Sequence, residues 1–164
     1  ELTDDGWTAP GREKILRFNN GEDYGYPCCY ERGLPSPYNT GGTRYNCATV
    51  TASLAGFPVG HTPFGHDFER NVWSDPTYRA SVYVGLHGVV GSWDHTGINR
   101  LAVDPSTRLP TGTPQPFMTW GPGTPNVGRV ADLVFAPDGR MFFTDDQQGM
   151  VFWIAPRDLL MPVR

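Results

Sequence analysis

Four histidines, an arginine that opens an apolar run and the adjacent aspartates Asp145 and Asp146 are the residues of this 164-residue chain whose types and settings could do chemistry. Arg129 stands just ahead of an apolar stretch, where a loop at one end of a sheet would begin. Its fork of N–H donors matches carboxylates, which makes it a candidate for binding an anionic cofactor. The plainer alternative is a surface arginine capping a strand. His87 follows the run SVYVGL and precedes Gly88, so it sits at a strand end facing a loop, a position that lines ligand pockets in β folds. A hydrogen-bonded structural histidine is the alternative there. His61, between Gly60 and Thr62-Pro63, could reach the same pocket. His66 beside Asp67 is expected in solvent, and His95 beside Asp94 could form a charged pair in the loop after Trp93. Asp145 and Asp146 offer the oxygen ligands that calcium prefers, although aspartates after a strand and before Gly149 are more often turn chemistry. No Gly-x-Ser-x-Gly elbow supports a serine hydrolase. Five Trp and seven Tyr would suit stacking on sugars, with packing between sheets as the competing use.

These residues need strands to hold them. The stretch GRVADLVFAPDGRMFFTDDQQGMVFWIAP reads as a meander: strands over 131–136, 140–144 and 150–154, a tight Pro-Asp-Gly turn and a longer loop over 145–149. Its Val, Phe, Leu and Ile content fits pleated, buried strands, and such a meander is the unit of β-propeller blades. Upstream, 81–86 and 98–103 read as partner strands joined by a glycine-punctuated loop over 87–97, with 71–79 connecting into them. The two groups lie about one blade length apart, about 45 residues. Residues 104–125, with six prolines, read as a long loop. Nearer the start, 15–18 is expected as a short strand, 31–46 as a surface loop, 47–55 as extended, and 56–69 as a segment ending in a strand. A single helical turn is expected over 158–161.

Composition narrows the class. With 20 Gly, 16 Pro and 18% charged residues, the chain reads as an all-β, loop-rich fold rather than a disordered one. The net charge is −4 and Lys14 is the single lysine, which argues against a nucleic-acid partner. No stretch approaches the roughly 20 apolar residues of a helical membrane span. The start at Glu1, without Met, points to processing or to a piece of a longer precursor. Cys28, Cys29 and Cys47 lie in a Gly/Pro/Asn-rich region. A bridge from Cys29 or Cys28 to Cys47 would staple residues 20–60, contributing about 3 kcal/mol by loop closure. Three reduced thiols are the alternative, and the spacing does not suit zinc.

Five blocks in order resemble one family. Asp23 to Tyr30 (DYGYPCCY), His61-Thr62-Pro63-Phe64-Gly65 with Phe68-Glu69, Val82 to Gly88 with Ser92-Trp93, Gly128-Arg129-Val130-Ala131-Asp132 through Asp138-Gly139, and Thr144-Asp145-Asp146-Gln147 through Gly149 resemble motifs of the glucose/sorbosone dehydrogenase-like family. The resemblance covers roughly residues 20–156 and matches only the C-terminal part of the family. It implies two or three blades of a six-bladed β-propeller, holding pyrroloquinoline quinone and calcium in a central pocket and oxidising sugars by hydride transfer to the quinone. It implies that Arg129, His87 and His61 bind the cofactor, Arg129 and His87 through its carboxylates and carbonyls. The family's general-base histidine and its calcium-binding carbonyls lie upstream of the matched blocks, and the Asn-Arg that follows Ser-Trp in the family is Asp94-His95 here.

The resemblance implies a partial propeller completed by the remaining blades, from another chain or from copies of itself. It would bind a sugar as substrate or ligand and work as a secreted or periplasmic protein. The competing class is a non-catalytic, lectin-like carbohydrate-binding module on a degenerate propeller, and a third reading is a purely structural scaffold. The meander's Val134, Phe135, Phe142, Phe143, Val151 and Trp153 would put large side chains on both faces of its sheet, which only stacked blades cover.

Overall fold

Alternating and β-branched apolar runs broken by Gly, Pro and Asp turns make short antiparallel strands, and these dominate the chain. The computed structural model describes residues 12–40, 45–89, 95–119 and 128–160. The chain divides after Gly60 into two units.

The first unit is small and loop-rich. Strand β1 (Arg12–Ile15) pairs antiparallel with β4 (Ala55–Pro58), and β2 (Cys29–Glu31) with β3 (Leu34–Pro35). The early strand thus precedes the expected 15–18, and the supposed loop over 31–46 contains a short hairpin. A 3-10 turn, Cys47–Thr49, stands where extended chain was expected, because the Asn46 side chain accepts from the Ala48 N–H and caps it. The staple forms between Cys29 and Cys47, whose Cα atoms are 5.7 Å apart, and Cys28 is left as a free thiol. Cys29, Cys47 and Val50 form a local buried cluster, and polar ties reinforce it: Lys14 Nζ donates to the Tyr30 carbonyl at 2.7 Å and Arg32 Nε to that of Val50 at 2.7 Å.

The second unit holds two blade-like sheets. The first is four-stranded, in the order β5 (Pro63–Phe68), β6 (Ser81–Leu86), β7 (Gly97–Val103), β8 (Pro110–Thr119). The second is three-stranded, with β9 (Val130–Phe135) innermost, then β10 (Met141–Asp145) and β11 (Met150–Ile154). One helical turn, α1 (Arg157–Leu160), follows. The strands at 81–86 and 150–154 fall where the sequence puts them, and the others shift by a residue at one or both ends. The long loop expected over 104–125 is a correction: ten of its residues are β8. Proline is tolerated there because β8 is an edge strand, bonded only to β7, so missing N–H groups cost no ladder bonds on the open side. The register slips twice along that pairing.

The core lies between the two sheets. Trp73, Tyr83, Ile98, Val130, Leu133, Phe135, Met141 and Phe143 pack there, and Trp73 anchors its indole N–H on the Gly139 carbonyl at 2.7 Å. The inner strands β5 and β9 run side by side because Gly65 has no side chain. A Cβ there would lie 2.5 Å from the Asp132 Cα and 2.8 Å from the Leu133 nitrogen. Asp67 then reaches across, accepting the Phe135 N–H at 2.8 Å while paired with Arg70 at 2.7 Å. The 69–80 connection is organised by buried Glu69, whose carboxylate accepts the N–H groups of Asn71, Val72, Trp73 and Ala80 at 2.7–3.0 Å.

The meander's two faces have different fates. Phe135 and Phe143 are buried against the first sheet. On the opposite face Phe142 pairs across the strands with Val134 and Trp153. Val134, Val151 and Trp153 on that face are 53%, 67% and 47% exposed. Large side chains do occupy both faces, but among the described residues only one face is covered.

Gly65→Ala is expected to wedge the inner strands apart, since the obstruction is backbone and cannot swing away. The expected destabilisation is about 1–3 kcal/mol, typical of overpacking, read as a lowered urea midpoint with the slope unchanged. Gly33→Ala, in open space but at φ 75°, should cost only the backbone penalty.

Candidate functional site

Antiparallel pairing brings five chain segments to one end of the two sheets. Pro63 at the start of β5 faces Leu86 at the end of β6, and Leu86 faces Gly97 at the start of β7. Val130 at the start of β9 faces Asp145 at the end of β10. The residues just outside these strand ends are His61, His87, His95, Arg129 and Asp146.

Backbone bonds extend the ladder into this region. His87 N–H donates to the Thr62 carbonyl at 3.0 Å, and Gly88 N–H to that of His61 at 3.1 Å. Gly88 takes φ 72°, a conformation suited to glycine, as the chain leaves the sheet. Thr62 and His95 take φ 47° and 66° without being glycine. For a β-branched residue such as Thr62 this is costly, on the order of 1–3 kcal/mol, and strain of this kind concentrates at functional sites.

His87 is buried and locked. Its Nε2 lies 3.0–3.1 Å from both carboxylate oxygens of Asp146, and Phe64 stacks on the ring with centroids 4.6 Å apart. Nδ1 has no partner among the described residues. Arg129, half-buried, donates from Nη2 to the Val89 carbonyl, two residues beyond His87. Its backbone N–H donates to Asp145 Oδ1 at 3.2 Å, and its carbonyl accepts the Asp146 N–H at 3.3 Å. Arg129 and His87 are therefore joined twice, through Asp146 and through Val89, across the two sheets. His61 stacks on His95 with centroids 4.4 Å apart and planes 17° from parallel, and its buried Nδ1 has no hydrogen-bond partner among the described residues.

The two aspartates of the doublet do different work. Asp145 turns inward, 2% exposed, and also accepts the Gln148 N–H at 3.0 Å. A Cβ on Gly128 would strike that carboxylate at 2.6 Å, so glycine is required for the close approach. Asp146 turns outward to His87. They do not form a shared calcium cradle, and among the described residues no group of three or more His, Cys, Asp or Glu side chains is arranged to hold a metal ion.

All three residues singled out in the sequence, Arg129, His87 and His61, thus lie at the same end of the sheets. His66 is exposed and apart from them, and Asp94 and Trp93 fall outside the described residues. Sequence reasoning missed Phe64 as a wall of the site and Asp146 as the partner of His87. The sign of the second was the Asp-Asp doublet placed at a strand end level with His87. The cluster offers a guanidinium with further N–H groups unengaged by Val89, a buried imidazole nitrogen without a partner among the described residues, and a carboxylate–imidazole pair.

Burial and the neighbouring His95 hold the His61 pKa below the ordinary value of 6.5. The unfolded chain then takes up its proton first as pH falls, so the folded state binds fewer protons below about 6.5 and loses stability there. The loss should begin as pH drops through 6.5 and level off once the folded-state value is passed. His61→Gln should flatten the fall in melting temperature between pH 7.5 and 5.5; an unaltered slope would show that His61 does not contribute.

No protein-family profile matches this sequence, and neither does any curated protein. Solved structures do resemble it. A calcium structure of a Trichoderma reesei protein of Carbohydrate-Active Enzymes Family AA12 superposes with a TM-score of 0.61 at 22% identity, over 81% of this chain and 38% of that one. A glucose dehydrogenase gives 0.61 at 17% identity, over 89% and 38%. The holo pyranose dehydrogenase PQQ domain from Coprinopsis cinerea gives 0.54 at 18%, over 80% and 40%. The chain spans about two fifths of the length of these structures. The shared feature at this level of identity is the fold: the chain is all-β and forms part of a β-propeller.

Proposed function

We propose that this chain is the C-terminal portion of a six-bladed, quinoprotein sugar dehydrogenase-like propeller. The observation that carries the reading is the meeting of Arg129, His61 and the His87–Asp146 pair at one end of strands from two blades. The likeness to a glucose dehydrogenase and to a pyranose dehydrogenase PQQ domain supports it. The donor set fits pyrroloquinoline quinone in part. Arg129 would grip its carboxylates with the N–H groups not engaged by Val89, and the unpartnered Nδ1 of His61 would meet a polar group on it. When bound, the quinone supplies a two-electron acceptor for the hydride of a sugar. Calcium would be held by parts of the propeller outside this chain. The remaining blades would come from another polypeptide or from copies of this one, and the completed protein would be secreted or periplasmic.

A non-catalytic, carbohydrate-binding module is the second reading. The observation favouring it is His95: where the family pattern has an arginine, this chain has an imidazole already stacked on His61. Saturable sugar binding on a glycan array, without turnover of an artificial electron acceptor, would favour that reading.

Calorimetric titration of the assembled particle with pyrroloquinoline quinone and calcium tests the main reading, and absence of binding would overturn it. Arg129→Ala should weaken quinone affinity by about 10- to 100-fold, the value of a charge-assisted hydrogen bond of about 1.5–3 kcal/mol. Unchanged affinity with a lowered melting temperature would instead make Arg129 a clasp on Val89 and no more.

Assembly gives a separate test. Leaving Val134, Val151 and Trp153 in water forgoes roughly 1.5–3 kcal/mol for each side chain that a neighbouring blade would bury. Residues 1–164 alone are therefore expected to associate, and light scattering should find species heavier than 18.1 kDa. A stable, cooperatively folding monomer would contradict the need for further blades.

A further inference from the structure

The end of the first sheet away from His87 holds a cavity of about 360 Å³, lined by the β5–β6 connection and the β7–β8 turn. Phe68, Val103 and Pro105 give it an apolar wall, and Glu69, Arg70, Asn71 and Arg108 are its polar residues. Glu69 brings no free acceptor to it. Its Oε2 takes the N–H groups of Asn71 and Ala80, and its Oε1 those of Val72 and Trp73. Asp104 opens the β7–β8 turn but is occupied there, its Oδ1 accepting the N–H groups of Ser106 and Thr107 at 2.8 Å. The donors, in contrast, are left over. The Arg108 guanidinium and the Asn71 side-chain amide have no partner among the described residues. Arg70 uses Nη2 alone, on Asp67 at 2.7 Å and on the Phe135 carbonyl at 3.3 Å, so its Nε and Nη1 hydrogens remain.

We propose that this cavity binds a small monocarboxylate with an apolar body. A concave site whose side-chain polar groups are all donors wants an anion, and the planar fork of an arginine matches the two oxygens of a carboxylate. The carboxylate lies between Arg108 and the open donors of Arg70, with the Asn71 amide as a third contact, and the body lies along Phe68. Phe68 is 36% exposed, so a ligand ring or chain gains apolar contact there. Backbone conformation is a second, independent sign. Asn71, Ala80 and Arg108 all line this cavity, and they take φ 63°, 46° and 61° without being glycine. Both residues with unpartnered side chains are thus held in the left-handed region, and such outliers collect at ligand clamps. Glu69 fixes two of the three by accepting the N–H groups of Asn71 and Ala80 at 2.8 and 2.7 Å. The Arg108 N–H donates to the Asp104 carbonyl at 2.9 Å and fixes the third. The donors are therefore in place before a ligand arrives. This site stands whether or not the chain belongs to a dehydrogenase, because it shares no residue with the cluster around Arg129.

Calorimetric titration of the full chain with sodium benzoate, benzamide and inorganic phosphate tests this. Benzoate should bind saturably. Benzamide keeps the ring and loses the charge, and it should bind at least about tenfold more weakly. Arg108→Gln should weaken benzoate by about 10- to 100-fold, the weight of a charge-assisted hydrogen bond. The melting temperature of that variant without ligand should not change, since the side chain it replaces has no partner among the described residues. Arg108→Lys keeps the charge without the fork and should restore only part of the affinity. No saturable benzoate binding, or binding that Arg108→Gln leaves untouched, would overturn the site. Phosphate or benzamide bound as tightly as benzoate would overturn the assignment to a monocarboxylate.

Discussion

The close approach of β5 to β9 is the constraint on which the second unit depends. Two sheets can pack a core between them in many relative positions, because apolar contact is non-directional. Gly65 removes the obstruction between the inner strands, and Asp67 then fixes their offset by accepting the Phe135 N–H from the neighbouring sheet. With that offset set, the start of β9 comes level with the end of β6. Arg129 can then reach Val89, and Asp146 can reach His87. The chemistry at the strand ends is a consequence of a glycine and a carboxylate in the middle of the sheet.

Much of this could be read from the sequence, and the parts that could not share a cause. The run SVYVGL and the meander are strongly apolar and bounded by clear turns, so local pattern was enough. Arg129, His87 and His61 were found because each stands at the end of such a run. The choice between Cys28 and Cys29 was not available locally, since adjacent cysteines lie at nearly equal sequence distance from Cys47; in the fold it is Cys29 that bridges. Strand β8 was hidden by Pro110, Pro114 and Pro116, because a proline signal cannot distinguish a loop from an edge strand until the neighbours are known. The link between His87 and Asp146 spans 59 positions and depends on the docking of two sheets. No local pattern contains it.

The site also shows where stability has been given up. Thr62 and His95 adopt positive φ, His61 keeps a buried nitrogen without a partner, and Asp145 Oδ2 is likewise buried and unbonded. The opposite end carries positive φ too, at Asn71, Ala80 and Arg108, but there the carboxylate of Glu69 accepts the N–H groups of Asn71 and Ala80 and so compensates two of them. The buried polar atoms without a bond are the feature particular to the site end.

Arg140 bears on how such a propeller could be put together in the right order. Its guanidinium lies over the rings of Phe142 and Trp153, 5.3 and 5.9 Å from their centroids, and is paired with Asp138 at 2.7 Å. A charge standing over an exposed apolar sheet acts as a gatekeeper: it makes indiscriminate stacking costly, because any arriving sheet must supply an acceptor or leave a cation without water. The outer face of the meander is thus guarded as well as apolar: a sheet that stacks on it without an acceptor for Arg140 meets a penalty that one supplying an acceptor does not.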